Sequence, residues 1–135
     1  MTQHELELGR RPQVKTCATL FQTLCYENKE QLSAGIICAG YDEVDGGVVY
    51  NIPLGGSLVK MPYTIGGSGS TYIYGYCDMN YRPGMTKEEC LQFCRTCVAL
   101  AIARDGSSGG NIRTLVITKD GCEKDFIPGN LLPTF

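Results

Sequence analysis

The order of elements predicts a layered α+β fold, with helices packed outside antiparallel strands. Three observations carry that expectation. Apolar residues recur at helical spacing near the start and again near residue 90, short apolar runs lie between and after these stretches, and glycine turns join the runs at hairpin spacing. With 135 residues the chain has the length of one ordinary domain, and no repeat, low-complexity tract or linker divides residues 1–135.

From Pro12 to about Leu32 the pattern is helical, with Val14, Cys17, Leu20, Phe21, Leu24 and Cys25 at three-to-four spacing and Pro12 suited to the first turn. Ala34–Tyr41 is a short apolar run that reads as a buried strand. Turn residues Val44-Asp45-Gly46-Gly47 lead into a second strand, Val48–Ile52, and Gly55-Gly56-Ser57 into a third, Leu58–Tyr63. Thr71–Tyr76 has strand propensity, but Ser68 and Ser70 offer N-caps behind glycines, and a helix is expected there. Arg82-Pro83-Gly84 ends it. Thr86-Lys87-Glu88-Glu89 is a capping box opening a helix to about Arg104. Ile112–Thr118 alternates as a strand, Asp120-Gly121 turns, and Cys122–Ile127 returns.

Composition excludes several classes of function. Twelve Lys plus Arg against fourteen Asp plus Glu give a formal charge of −2, no footprint for nucleic acid or an anionic membrane. The apolar run Val98–Ala103 is too short to span a bilayer, and the first residues have no signal-peptide core. Eight cysteines sit mostly inside apolar runs, without any Asn-x-Ser/Thr sequon, so free thiols in a reducing compartment are expected. Cys90, Cys94 and Cys97 share a helical face and imitate a zinc half-site. With His4 the sole histidine and no second Cys-x-x-Cys, they read as core rather than as a zinc or redox module, and no metal or cofactor is expected.

Two loops carry possible chemistry. Gly66-Gly67-Ser68-Gly69-Ser70 precedes a helix and lets the backbone approach a ligand, although no Lys-Ser/Thr phosphate-loop pair follows. Asp105-Gly106-Ser107-Ser108-Gly109-Gly110 follows a long helix. It reads equally as a helix C-cap with Gly106 in the left-handed position, or as a carboxylate and hydroxyls orienting a nucleophile or proton carrier. A Ser-His-Asp triad would depend on His4, in a terminal segment. The acid pairs Asp42-Glu43 and Glu88-Glu89 read as solvated turn and helix-start charges.

These segments together resemble a proteasome β-type subunit. The likeness runs through Ala34-Gly35-Ile36-Ile37, Ala39-Gly40-Tyr41-Asp42, Gly46-Gly47 with Tyr50, IGGSGSTYIYGY (Ile65–Tyr76), RPGMTKEEC (Arg82–Cys90) and RDGSSGGNIR (Arg104–Arg113), and is nearest to the β1, caspase-like class. It implies the N-terminal nucleophile hydrolase fold, a four-layer αββα sandwich with antiparallel sheets, here without its N-terminal strands. It also implies a threonine endopeptidase of the 20S core particle, in cytoplasm and nucleus, assembled with other α and β subunits and acting on unfolded polypeptides.

By this resemblance Ser68, Asp105 and Ser108 are supporting groups around the amine of an N-terminal threonine. Met1 aligns with the end of the family's first helix, so Thr2 is not that nucleophile. The threonine, its aspartate and its lysine are expected outside this chain, leaving it inactive alone, with exposed sheet edges that favour aggregation. Tyr41, Cys77 and Cys94 depart from the family pattern at packing positions. The rival expectation is a non-catalytic structural or assembly subunit of a proteasome-like particle.

Overall fold

A computed structural model describes residues 11–135, so Thr2 and His4 lie outside the described residues. The chain divides into two compact units, one reaching Ile65 and including Ile117–Gly121, the other formed by Gly66–Val116 and Cys122–Phe135.

In the first unit, helix α1 spans Val14–Glu27, behind Gln13 as N-cap. It is shorter than the apolar period implies, and Pro12 stands before the helix rather than in its first turn. Strands β1 (Ile36–Asp42), β2 (Gly46–Ile52) and β3 (Val59–Met61) form an antiparallel sheet in the order β1-β2-β3. The register runs from Ile36 opposite Ile52 to Asp42 opposite Gly46, and Tyr50 faces Lys60 on the other side.

The strand period of two decides what is buried. Val48, Tyr50 and Ile52 all point inward, and Val48 and Tyr50 pack with Ala18 of α1, flanked by Val14, Cys38 and Leu58. The expected stripe of α1 is only partly inside. Ala18 and Cys25 are buried while Leu20, Phe21 and Leu24 are exposed. Gly56 has φ of +80°, and a β-carbon there would lie 2.6 Å from the backbone nitrogen of Tyr26, so the turn after β2 closes on α1 only with glycine.

Asp42 corrects the expectation of a solvated turn charge. It is 9% exposed, and its two oxygens accept three backbone N–H groups. Oδ1 takes Val44 and Asp45 at 2.9 and 2.7 Å, and Oδ2 takes Val14 at 2.9 Å. One carboxylate therefore closes the β1–β2 turn and satisfies a free donor in the first turn of α1. The amides of Asp45, Val14 and Val44, with the charge of Lys60, outweigh burial and hold its carboxyl below the usual range.

In the second unit, the 3-10 turn Ser68–Tyr72 leads through Ile73 into helix α2, Tyr74–Asn80. The helical expectation for this segment holds in a divided form, tight turn first. Neither serine is its cap. Gly67, at φ of +97°, is the N-cap residue, and Ser70 Oγ donates back to the Gly67 carbonyl at 2.7 Å. Helix α3 spans Lys87–Arg104 with both halves of the capping box formed, Glu89 N to Thr86 Oγ1 at 3.2 Å and Thr86 N to Glu89 Oε2 at 3.0 Å. Glu89 also pairs with Arg82 at 2.9 Å.

Phe93 of α3 stacks on Tyr76, and Ile73, Cys77, Cys97, Ala99 and Ile112 are buried. Strands β4 (Ile112–Thr118) and β5 (Gly121–Ile127) pair as a hairpin, tied to α3 by Lys87–Glu123 and Arg95–Asp125 ion pairs. The helix face bearing Cys90, Cys94 and Cys97 is not uniformly core, because only Cys97 is buried. All eight cysteines are free thiols, and no helix among the described residues is long and apolar enough to cross a membrane.

Candidate functional site

The two loops singled out in the sequence meet. The 3-10 turn sets Ser68 at the start of one element, and the end of α3 sets Asp105 at its C-cap, 37 positions later. Ser68 Oγ donates to Asp105 Oδ2 at 2.7 Å, Ser108 Oγ donates to the same oxygen at 2.5 Å, and the Ser107 amide donates to Oδ1 at 3.1 Å. Asp105 is 8% exposed, whereas Ser68 is exposed and Ser108 half-buried, so hydroxyls stand between the carboxylate and water.

The local sequence explains the approach. Gly69 lies so near α3 that a β-carbon would stand 3.0 Å from the Ala101 methyl and 3.1 Å from Ser108 Oγ. A side chain at this position would require the turn or these neighbours to give by a few tenths of an ångström. On the other loop the C-cap reading of Gly106 is corrected. Asp105 itself caps α3 with φ of −93°, its amide bonding to the Ala101 carbonyl, and the glycine of positive φ is Gly110, at +88°.

Electrostatics follow from the donors. The hydroxyls of Ser108 and Ser68, then the Ser107 amide, hold the Asp105 carboxyl below its ordinary range against the opposing effect of burial. At neutral pH the group is a carboxylate. A hydroxyl that donates its one hydrogen inward keeps its lone pairs for a ligand, so Ser68 and Ser108 present acceptors outward, backed by a negative charge. Such a constellation suits a donor of several N–H bonds with positive charge, an ammonium above all. The carboxylate, held below its ordinary range by these same hydroxyls, is too weak a base to activate either serine as a nucleophile.

Ser68, Asp105 and Ser108 are thus brought together by the structure. The sequence reading missed Gly69 and Ala101, whose small size permits the approach, and the Ser107 amide, whose direction depends on the turn. Gly69 had a signal, since a glycine between two serines leaves the backbone bare. Among the described residues no three His, Cys, Asp or Glu side chains gather to hold a metal ion.

Comparison of the sequence with known proteins shows its family. A family model described as proteasome subunit matches residues 1–117. The chain is 61% identical over 132 residues to proteasome subunit beta type-6 of Dictyostelium discoideum, covering 98% of this chain and 62% of that one. It is 53% identical over 138 residues to the probable proteasome subunit beta type-1 of Schizosaccharomyces pombe, covering 100% and 61%, and 53% identical over 128 residues to proteasome subunit beta type-1 of Saccharomyces cerevisiae, covering 92% and 60%. The chain spans about three-fifths of the length of these relatives. On the strength of both the match and the helices with antiparallel sheets, this chain belongs to the proteasome β-type subunit family and has its N-terminal nucleophile hydrolase fold.

Proposed function

We propose that the chain is part of a single-domain β1-type subunit of the 20S core particle, a threonine endopeptidase that cleaves unfolded polypeptides after acidic residues. The observation that supports this reading is the convergence of two hydroxyls on one oxygen of the depressed-pKa carboxylate of Asp105. In this reading the ligand of the cluster is the α-amine of a threonine at the mature N-terminus, outside this chain. That amine takes the proton of the threonine hydroxyl as the oxygen attacks the scissile carbonyl. Ser68 and Ser108 then accept N–H bonds from the ammonium that forms, and Asp105 stabilises its charge. The proton passes to the leaving amine, and water later releases the acyl group.

The particle carries the subunit among other α and β subunits, in cytoplasm and nucleus, without cofactor, metal, nucleic acid or membrane. The post-acidic preference rests on the β1 likeness in sequence. The test is Asp105→Asn in the assembled particle, read with peptides cleaved after acidic, basic or bulky apolar side chains. Post-acidic cleavage is expected to fall by about 100-fold or more while the other two persist. Unchanged post-acidic cleavage overturns the reading, and an equal fall of all three activities favours a structural subunit. Intact mass of the native subunit is expected to exceed 14.7 kDa, with threonine first.

A further inference from the structure

We propose that Cys77 and Cys97 form a thiol pair that a low-molecular-weight disulfide of the glutathione class converts to an intramolecular disulfide joining α2 to α3. Their sulfurs lie 3.6 Å apart, with one S–H directed at the other sulfur. Cys77 is fully buried and Cys97 is 5% exposed, so packing holds both side chains facing each other. A disulfide bond is about 2.05 Å long, and closing the gap asks each sulfur to move about 0.8 Å, within reach of a small side-chain rotation.

Burial and the neighbouring Cys77 sulfur push Cys97 up to about 12, so Cys97 stays a thiol at neutral pH, and both sulfurs are closed to solvent. Reaction therefore needs opening, and the sequence places the weak point at α2. This helix has seven residues and no side-chain cap at its N-terminus, whereas α3 has eighteen and a complete capping box. Local opening of the shorter element is the low-energy route to Cys77. Once exposed as a thiolate, Cys77 attacks one sulfur of the small disulfide, forming a mixed disulfide and expelling one small thiolate, which takes up a proton. While α2 is still open the mixed disulfide meets Cys97, and reclosure follows once the small group has left. The Cys97 sulfur gives up its proton, attacks the Cys77 sulfur and expels the second small thiol. Two protein thiols are oxidised and one small disulfide is reduced to two thiols.

The bridge would bear on the candidate site, since the turn carrying Ser68 leads into α2 and Asp105 caps α3. Cys90 and Cys94 lie exposed on the same helix and are the rival targets.

Tryptic cleavage separates the rivals, because Cys77 falls in residues 61–87, Cys90 and Cys94 in 88–95, and Cys97 in 96–104. The assembled particle is exposed to oxidised glutathione in native buffer and, in parallel, in urea, then alkylated, digested and weighed. Peptide 61–87 is expected linked to 96–104 in native buffer, at several times its share among the scrambled pairings in urea. The link is expected to survive Cys94→Ser and vanish in Cys97→Ser. Linkage of 61–87 to 88–95, glutathione adducts on 88–95 with Cys77 and Cys97 still alkylated, or equal shares in native buffer and urea would each overturn the proposal.

Discussion

Two aspartates, Asp42 in the first unit and Asp105 in the second, are both nearly buried and both held below the usual carboxylate range. Their partners differ in kind. Asp42 accepts three backbone N–H groups from the turn after β1 and the start of α1, donors that have nothing further to offer. Asp105 accepts one backbone N–H and two serine hydroxyls, each of which remains an acceptor on its outer side. A buried, depressed carboxylate is therefore no mark of chemistry by itself. The distinction lies in whether its donors can pass the interaction on to something outside the chain.

Exchanging each acid for its amide breaks the comparison most directly. Asp105→Asn, already expected to cost about 100-fold in post-acidic cleavage, leaves the shape of the side chain in place. Asp42→Asn keeps one acceptor but turns an N–H group toward a backbone donor. It is expected to destabilise the folded chain by about 2 kcal/mol, seen as a lower urea midpoint, with peptide cleavage by the assembled particle unchanged. If Asp42→Asn lowers cleavage as much as Asp105→Asn does, the two carboxylates are not distinct in role.

Gly69→Ala tests the geometry rather than the charge. The added methyl meets Ala101 and Ser108 at contacts of 3.0 and 3.1 Å, so the turn or the Ser108 hydroxyl must give by a few tenths of an ångström. Post-acidic cleavage is expected to drop by about tenfold, since a displacement below 1 Å already disturbs aligned groups. Chemical shifts of the Ser68 and Asp105 amides should move together. Full activity would mean that the turn and α3 tolerate separation.

Acid acts on both regions in the same sense. A carboxyl whose folded pKa lies below its unfolded value of about 4 contributes stability that is complete above that value. The contribution fades as pH falls through the folded pKa. Thermal midpoints are thus expected to be indifferent to these two groups between about pH 5 and 8 and to fall steeply below pH 4. In Asp42→Asn the acid slope should be shallower, because one of the two titrating groups is gone. An unchanged slope would place the acid sensitivity elsewhere.

How far the sequence discloses these regions depends on the range of the forces involved. Local signals hold well. The Thr86–Glu89 capping box and the β4–β5 hairpin lie where their residues put them, since caps and tight turns act over three or four positions. Ser68, Asp105 and Ser108 stand out as loop residues framed by glycine, but their meeting spans 37 positions, and only the family resemblance brought them together. Asp42 reads as a surface turn charge because its third partner, Val14, lies 28 positions upstream. The α1 stripe misleads for a related reason. Helical period marks an apolar face, and only the sheet decides that Ala18 and Cys25 are buried while Leu20, Phe21 and Leu24 are not.

The finest distinction lies between the two hydroxyls on Asp105. Ser108 is adjacent in the loop and makes the shorter bond, 2.5 Å against 2.7 Å, and it lowers the carboxyl pKa more than Ser68 does. Removing either donor should raise that pKa toward its ordinary value, and Ser108→Ala should raise it further than Ser68→Ala. Carbon-detected NMR titration of the Asp105 carboxyl reads this order directly. The exposures argue for the opposite order in function. Ser68 is the exposed partner, and its oxygen is freer to turn to an incoming ammonium, so Ser68→Ala is expected to cost more activity than its small effect on the carboxylate implies. Should activity and pKa follow the same order across the two variants, the hydroxyls serve only to tune Asp105, and the outward acceptors have no separate part in binding.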